Sequence, residues 1–153
     1  MKILKIIAVC LVTHVLYADK VEITSLSMKA ENLKKEIHFI GDAKVKKGDD
    51  WLHANKIIVY FDDQNKTKMY QATGAVSFKF KNKKNNYSGS ADKIIYHPLT
   101  SKYLLEGKVK IDDLVKKRHV DGDRISLDMI TGDLKVDANR KQPVKFIFYT
   151  EKK

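Results

Sequence analysis

Three segments of the chain alternate apolar or small residues with polar ones at a period of two, which is typical of β-strands that bury one face. They span residues 37–45, 70–80 and 103–111. Each carries a central glycine, Gly41, Gly74 and Gly107, and these glycines stand 33 residues apart both times. Such self-similarity at a fixed period predicts one structural unit used three times.

A second strand follows each of these segments after a polar turn. The second strands share a related motif, found at residues 54–57 (ANKI), 91–94 (ADKI) and 122–125 (GDRI). The intervening turns are rich in Gly, Asp and Asn, so each unit is predicted to be a β-hairpin. No linker or low-complexity block interrupts the series. The sequence therefore predicts an all-β protein, built as a single curved antiparallel meander in one domain.

The repeated glycines predict where this sheet bends. Glycine weakens a strand interior, so its recurrence at one register indicates a bend or a close backbone approach. The concave side of the curled sheet would carry one set of apolar residues: Phe39, Val45, Val59, Val76, Phe78, Ile94, Tyr96, Val109, Ile111 and Leu127. The alternation alone leaves open whether they form a closed core or line a trough.

The N-terminus has the features of an export signal. Lys2 and Lys5 form a charged n-region, and residues 3–16 are an almost wholly apolar run of about fourteen residues. This run is short of the roughly 20 residues that a membrane-spanning helix needs. We expect residues 1–18 to be a cleavable signal peptide and residues 19–153 to form the β domain. An uncleaved N-terminal anchor is the alternative.

Export changes what the charge implies. Cleavage removes Cys10, the only cysteine, together with two of the 30 Lys+Arg and none of the 19 Asp+Glu, so the net charge falls from +11 to +9. A basic protein outside the cytoplasm rarely meets nucleic acid, so we expect no nucleic-acid partner. An anionic lipid, an anionic glycan or an acidic protein surface fits better, and a charge that merely aids solubility is the alternative.

Catalytic patterns are not evident. The histidines at positions 38, 53, 97 and 119 are separated by at least 15 residues, so no two form a short metal-ligand pair. Residues 88–90 (SGS) lack the spacing of a nucleophile elbow. We expect no enzyme activity, no metal site and no cofactor.

The order and spacing of these motifs resemble a known family. The segments are residues 21–25 (VEITS), 41–45 (GDAKV) with 54–57, and 74–76 (GAV) with 91–94. They resemble the periplasmic bridge proteins of lipopolysaccharide transport, the LptA/OstA-like family, over nearly all of the chain after residue 18. The resemblance implies an incompletely closed β-jelly roll in the periplasm, whose apolar groove shelters the acyl chains of lipopolysaccharide between the inner and outer membranes. By position, Val21, Ile23, Phe78 and Tyr96 resemble groove-lining residues.

Two other functions are compatible with the same pattern. One is a membrane-anchored partner of the same transport system, which would keep its N-terminal helix. The other is a closed β-sandwich that binds glycan or has a structural role.

The first and last strands are predicted to be the free edges of the meander. The first carries Val21 and Ile23, and the last carries Val144, Phe146, Ile147 and Phe148. Unpaired strand edges can extend a sheet into a second molecule. We therefore expect a head-to-tail homo-oligomer, and pairing with the OstA-like domains of the inner- and outer-membrane transport complexes. The simpler alternative is that the last strand only covers the core of a monomer.

One turn contains a modification signal. Residues 63–67 (DQNKT) resemble the extended acceptor Asp/Glu-x-Asn-x-Ser/Thr of some bacterial oligosaccharyltransferases. This makes Asn65 a candidate glycosylation site, and an ordinary turn is the alternative.

Overall fold

The computed structural model describes residues 20–81 and 83–152. The predicted signal peptide, with Cys10, lies outside the described residues. Among the described residues no helix is long and apolar enough to cross a membrane. These residues form ten strands: β1 Glu22–Thr24, β2 Ser27–Glu31, β3 Glu36–Lys47, β4 Asp50–Phe61, β5 Thr67–Lys81, β6 Asn86–His97, β7 Lys102–Asp113, β8 Arg118–Asp128, β9 Leu134–Asp137 and β10 Lys145–Ile147.

All ten strands belong to one antiparallel sheet. The six long strands, β3 to β8, follow one another as a meander. Each edge of the sheet consists of two short strands. At one edge β1 and β2 both pair with β3, and at the other β9 and β10 both pair with β8. The two edges do not pair with each other, so the sheet is not closed. The predicted all-β, incompletely closed fold is confirmed.

A row of β-bulges crosses the sheet at the repeated glycines. The register shifts at residues 41–42, 74–75 and 107–108. In each pair both residues have positive φ, for example +83° at Gly74 and 47° at Ala75. Because bulges bend the strand that carries them and increase its twist, a row of them folds the sheet across its strands. The bend that the glycines predict therefore lies at this row of bulges.

The bulge row divides the sheet into two halves. We call the first the β1 half, which contains β1, β10 and residues 43–54, 76–91 and 109–122. The second, the β2 half, contains β2, β9 and residues 36–40, 56–73, 93–106 and 124–128. The rings of Phe80 in the β1 half and Tyr103 in the β2 half lie 5.2 Å apart between centroids. The two halves therefore face each other, with the core between them.

The strands at the two edges of the sheet differ from the sequence-based expectations. The strands β2 and β9 were not predicted, and the last strand is limited to Lys145–Ile147, so Val144 and Phe148 flank it. Val21 likewise precedes β1. The short strands lack apolar alternation because they pair on one side only and their side chains are largely exposed.

Candidate functional site

The space between the two halves widens away from the bulge row. Small buried residues line it near the bend: Ala43, Ala54, Ala72 and Ala91. On β5 the inward side chains grow with distance from Gly74, from Val76 to Phe78 and then Phe80. A wedge filled in this way keeps the halves close at the bend and apart at the strand ends.

An aromatic cluster joins the two halves near the open side. Phe80 stacks on Phe78 with ring centroids 4.9 Å apart and also contacts Tyr103 of the other half. Tyr103 in turn stacks on Tyr96 at 4.3 Å, and Tyr96 on Tyr70 at 6.1 Å. Burial raises the pKa of Tyr103 well above its ordinary value, so its hydroxyl stays neutral. The wall that these rings form is therefore uncharged and largely apolar.

A cavity of about 200 Å³ lies beside this cluster, toward the β1 and β3 side. Both halves contribute to its lining. The apolar lining residues are Val21, Val45, Leu52, Ile57, Tyr70, Ala72, Phe80, Ile94, Tyr96 and Tyr103. The polar rim consists of Lys47, Asp50, Trp51 and Thr67, together with Pro98. An apolar wall with a few polar groups at the mouth is the usual composition of a small-molecule site.

The edges at the two ends of the sheet remain apolar and exposed. At the first edge Val21 is 40% exposed. At the last edge Phe146 and Phe148 are 53% and 59% exposed, and their rings stack at 5.6 Å. Phe146 pairs with the buried Val120, so this aromatic pair extends the inner face of the sheet beyond β8. Large exposed apolar groups of this kind mark interaction surfaces.

Comparison with known proteins identifies the fold and the family. A family model described as "LptA/(LptD N-terminal domain) LPS transport protein" matches residues 22–133. The chain belongs to this LPS transport family. No curated protein matches the sequence.

Among solved structures, the chain is similar to LptH of Pseudomonas aeruginosa, the LptA homologous periplasmic component of that organism's lipopolysaccharide transport device. The TM-score is 0.75 at 13% identity, and the match covers 86% of this chain and 96% of LptH. This likeness shows that the chain has the fold of LptH.

The twelve groove residues predicted for this LPS transport protein separate into three groups. Four line the cavity: Val21, Val45, Ile94 and Tyr96. Of these four, Ile94 is also buried in the core. Five others are buried in the core and do not line the cavity: Val59, Val76, Phe78, Val109 and Ile111. The remaining three, Ile23, Phe39 and Leu127, are half-buried. The predicted set thus describes the whole inner face, of which the cavity occupies only the part nearest β1.

Other lining residues of the cavity were not among the predicted groove residues. Tyr70, Ala72, Phe80 and Tyr103 belong to the alternating segments, and that alternation was the signal that indicated them. In β4 the even-numbered residues face inward up to Ala54, and the odd-numbered residues face inward from Ile57 onward. Leu52 was missed because of this change. A single alternating pattern extended through β4 places Leu52 on the wrong face.

Two clusters of ionisable groups occupy the outer face. Glu31, Glu36 and His38 offer ligand atoms within 4.8 Å of one another. The oxygens of Glu31 are paired with Lys29 at 3.1 Å and with Lys34 at 3.3 Å. His38 Nε2 lies 2.9 Å from Glu36 Oε2. Ammonium groups therefore hold Glu31, and the pairing of β2 with β3 brings it next to the contact between Glu36 and His38.

The second cluster surrounds His119 on β8. Its Nδ1 lies 2.6 Å from Asp112 Oδ1, and its Nε2 lies 2.6 Å from Asp121 Oδ1. The hydrogen bond with Asp112 raises the pKa of His119; burial opposes this shift, and Asp121 adds to it. A protonated imidazole with a carboxylate on each side is an ionic clamp between β7 and β8.

Proposed function

We propose that this protein binds lipopolysaccharide in the periplasm and passes it between the inner and outer membranes. Its acyl chains would lie between the β1 half and the β2 half. The observation that carries this proposal is the apolar cavity, which both halves line and which opens at the strand ends. Membership of the LPS transport family and the fold of a periplasmic LPS transport component support it.

The energetics suit a carrier. Burying an acyl chain gains about 0.8 kcal/mol per CH₂, so about a dozen methylenes gain on the order of 10 kcal/mol. Apolar burial is also non-directional, so a chain can slide along the groove without breaking specific bonds. Such binding is too strong for free release, which favours transfer along contiguous grooves. Transport of this kind requires no covalent chemistry, and we assign the protein no enzymatic role.

The size of the cavity implies that the halves move apart on loading. Ligand sites usually enclose about 300–1,000 Å³, whereas the cavity has a volume of about 200 Å³. The contact between Phe80 and Tyr103 joins the two halves across the open side. We infer that this contact separates when lipid enters, so that the core residues farther along the inner face become groove lining.

The continuity of grooves between molecules would come from the sheet edges. We propose that β10 of one copy pairs with β1 of the next, which joins the exposed Phe146 and Phe148 to the Val21 end of the neighbouring groove. Such a contact is heterologous and can propagate. The same edges can pair with the related domains of the inner- and outer-membrane transport complexes. A periplasmic carrier further requires cleavage after Ala18, and a mature N-terminus at Asp19, measured by mass spectrometry, would exclude the membrane-anchored alternative.

Site-specific photo-crosslinking tests the groove. A photo-reactive residue at Tyr96 or at Phe78 faces the interior, whereas one at Lys93, on the same strand as Tyr96, lies on the outer face of the β2 half. We expect lipopolysaccharide to be captured at Tyr96 and Phe78 and not at Lys93. Equal capture at all three positions would refute the groove and favour a closed β-sandwich that meets glycolipid at its surface.

A further inference from the structure

A depression on the outer face of the β1 half lies next to the cavity mouth. Its volume is about 390 Å³, which is within the usual range for ligand sites. We call it the Trp51 depression. Its lining residues come from β1, β3 and β4, and they are Glu22, Thr24, Lys44, Val45, Lys46, Trp51 and His53.

The strand register places two lysines on either side of Trp51. Lys46 of β3 and Lys79 of β5 are both direct cross-strand partners of Trp51. Side chains that are paired in this way have Cβ atoms about 5 Å apart on the same face. The indole of Trp51 also contacts the imidazole of His53, with ring centroids 4.7 Å apart. The outer face therefore presents an aromatic surface flanked by two ammonium groups.

These two ammonium groups are available to an anion. Lys44 pairs with Asp42 at 3.6 Å, and Glu22 pairs with Lys20 at 3.5 Å. Within residues 20–81 and 83–152, neither Lys46 nor Lys79 forms an ion pair. Lysine is a common point-charge ligand for phosphate. Unneutralised positive charge therefore flanks Trp51, with Lys46 in the lining of the depression and Lys79 outside that lining on the β5 side of Trp51.

Trp51 connects the depression to the interior, because it lines both the Trp51 depression and the apolar cavity. A glycolipid whose acyl chains occupy the cavity must bring its headgroup out over this rim. We propose that the Trp51 depression binds a phosphorylated sugar of the glycolipid headgroup, with the sugar ring against the indole of Trp51 and the phosphate between Lys46 and Lys79. This inference rests on the proposed function and adds a headgroup site to it.

The single tryptophan of the chain provides a direct measurement. The test ligand is the bis-phosphorylated glucosamine disaccharide that remains when lipid A is fully deacylated, and its dephosphorylated form is the matched control ligand. We expect the phosphorylated disaccharide to change the fluorescence of Trp51 saturably, and the dephosphorylated form to bind more weakly. In the double variant K46Q/K79Q, Kd should rise about tenfold or more, since two charge-assisted contacts are lost.

The matched control variant is K56Q/K93Q. Lys56 and Lys93 occupy the outer face of the β2 half, and both pair across strands with Thr73, so the control removes the same charge at a distance from Trp51. It should leave the Kd unchanged. An unchanged Kd in K46Q/K79Q, or an equal rise in both double variants, would overturn the site, because the effect would then be general electrostatics.

A parallel titration with a fluorescent fatty acid separates this inference from the proposed function. Fatty-acid binding without disaccharide binding overturns only the headgroup site. Loss of both overturns the proposed function as well. Disaccharide binding without fatty-acid binding would support the Trp51 site. It would also indicate that the protein is a glycan-binding β-sandwich and not an acyl-chain carrier.

Discussion

Gly74 and Gly107 each lie against a polar side chain on the preceding strand. A Cβ at Gly74 would lie 2.8 Å from Cβ of Asn55, and one at Gly107 would lie 2.7 Å from Cβ of Asp92. Both glycines also have positive φ, which side chains with a Cβ tolerate poorly. Since Asn55 and Asp92 belong to the ANKI and ADKI motifs, Gly74 and Gly107 each form one structural unit with the motif of the preceding strand.

Replacing Gly107 with alanine tests this unit. The variant G107A adds a Cβ in the left-handed region and forces it against Asp92, so the free energy of unfolding should fall on the order of 3 kcal/mol. Gly132 is the matched control, because its φ is +77° and nothing lies within 4 Å of an added Cβ. Chemical denaturation of G132A should show a loss of only about 1 kcal/mol. Equal losses would mean that backbone conformation alone selects the glycines.

The His119 clamp predicts a pH dependence of stability. The folded-state pKa of His119 is raised, mainly by the hydrogen bond with Asp112. Its stabilisation is therefore complete below the unfolded pKa of about 6.5 and is lost as the pH rises through the folded pKa. The Tm difference between the unmodified protein and H119Q should be larger at about pH 5.5 than at about pH 9. The exposed His97 is the control, and H97Q should show little pH-dependent difference; a wider gap for H119Q at high pH would contradict the clamp.

Asn65 remains a proposed glycosylation site. It is exposed in the β4–β5 turn with a φ of 59°, and its backbone N–H donates to the carbonyl oxygen of Asp62. The turn therefore presents the side chain to solvent, two residues after Asp63. We expect the intact mass from a host with a suitable oligosaccharyltransferase to show one added glycan, lost in N65Q. The sequence at Asn86 serves as an internal control, because it lacks the upstream acid and lies half-buried at the start of β6; an unshifted mass would refute the proposal.

At the scale of the strand, alternation predicted some elements well and others poorly. On β3, β5 and β7 every second residue faces inward, and the bulge does not interrupt this alternation, so a simple period-two pattern identifies the inward residues. On β4, β6 and β8 the inward phase changes within the repeated motif, as between Ala91 and Ile94. The pattern therefore located the second half of each of these strands and missed inward residues of the first half, such as Leu52 and Val120.

The short edge strands could not be predicted for a different reason. Strand β2 reads SMKAE and is exposed over most of its length. What makes it a strand is pairing with β3, which lies beyond the local sequence. The proximity of Glu31 to Glu36 and His38 was missed for the same reason, because it depends on that pairing.

The strand register predicts how two copies would pair. One row of outward residues crosses the β1 half without stagger, and it runs Glu22, Lys46, Trp51, Lys79, Ser88, Asp112, His119 and Ile147. If the next copy continues this row, Ile147 pairs with Glu22 of that copy, and Phe146 pairs with its Ile23 on the inner face. The antiparallel sense of the sheet is then preserved.

Disulfide formation between two differently tagged variants tests this register. The only cysteine, Cys10, lies within the predicted signal peptide, so a chain produced from Asp19 onward has no background thiol. Mixing I147C with E22C should give a mixed disulfide, because directly paired residues satisfy the geometry of the bond. The control is I147C with T24C, which offers the same face two residues away. Stronger crosslinking of the control pair would contradict the register, and no crosslinking in either mixture would argue for a monomer.

At the scale of the whole molecule, the sequence predicted the fold class and the family, but not how far the groove is filled. The repeat, its glycines and the alternating apolar residues determine a curled sheet with an apolar inner face. How closely the two halves approach depends on side chains distant in sequence, such as Phe80 and Tyr103, whose contact no local pattern contains. The same limit applies to the Trp51 depression, because Lys46 and Lys79 lie on either side of Trp51 only through the register of three strands.

The two edges of this sheet differ in residues and in direction, so a filament built from them would be polar. A shortened copy that ends before Val144 would keep β1 and lack β10. It would dock on the growing end of a filament but would lack the β10 edge, with Phe146 and Ile147, that pairs with the next subunit. Such a copy would act as a chain terminator, and the mean filament length would fall as its mole fraction rises. In a cell that expresses both forms, a small amount of the short form would interrupt many routes across the periplasm.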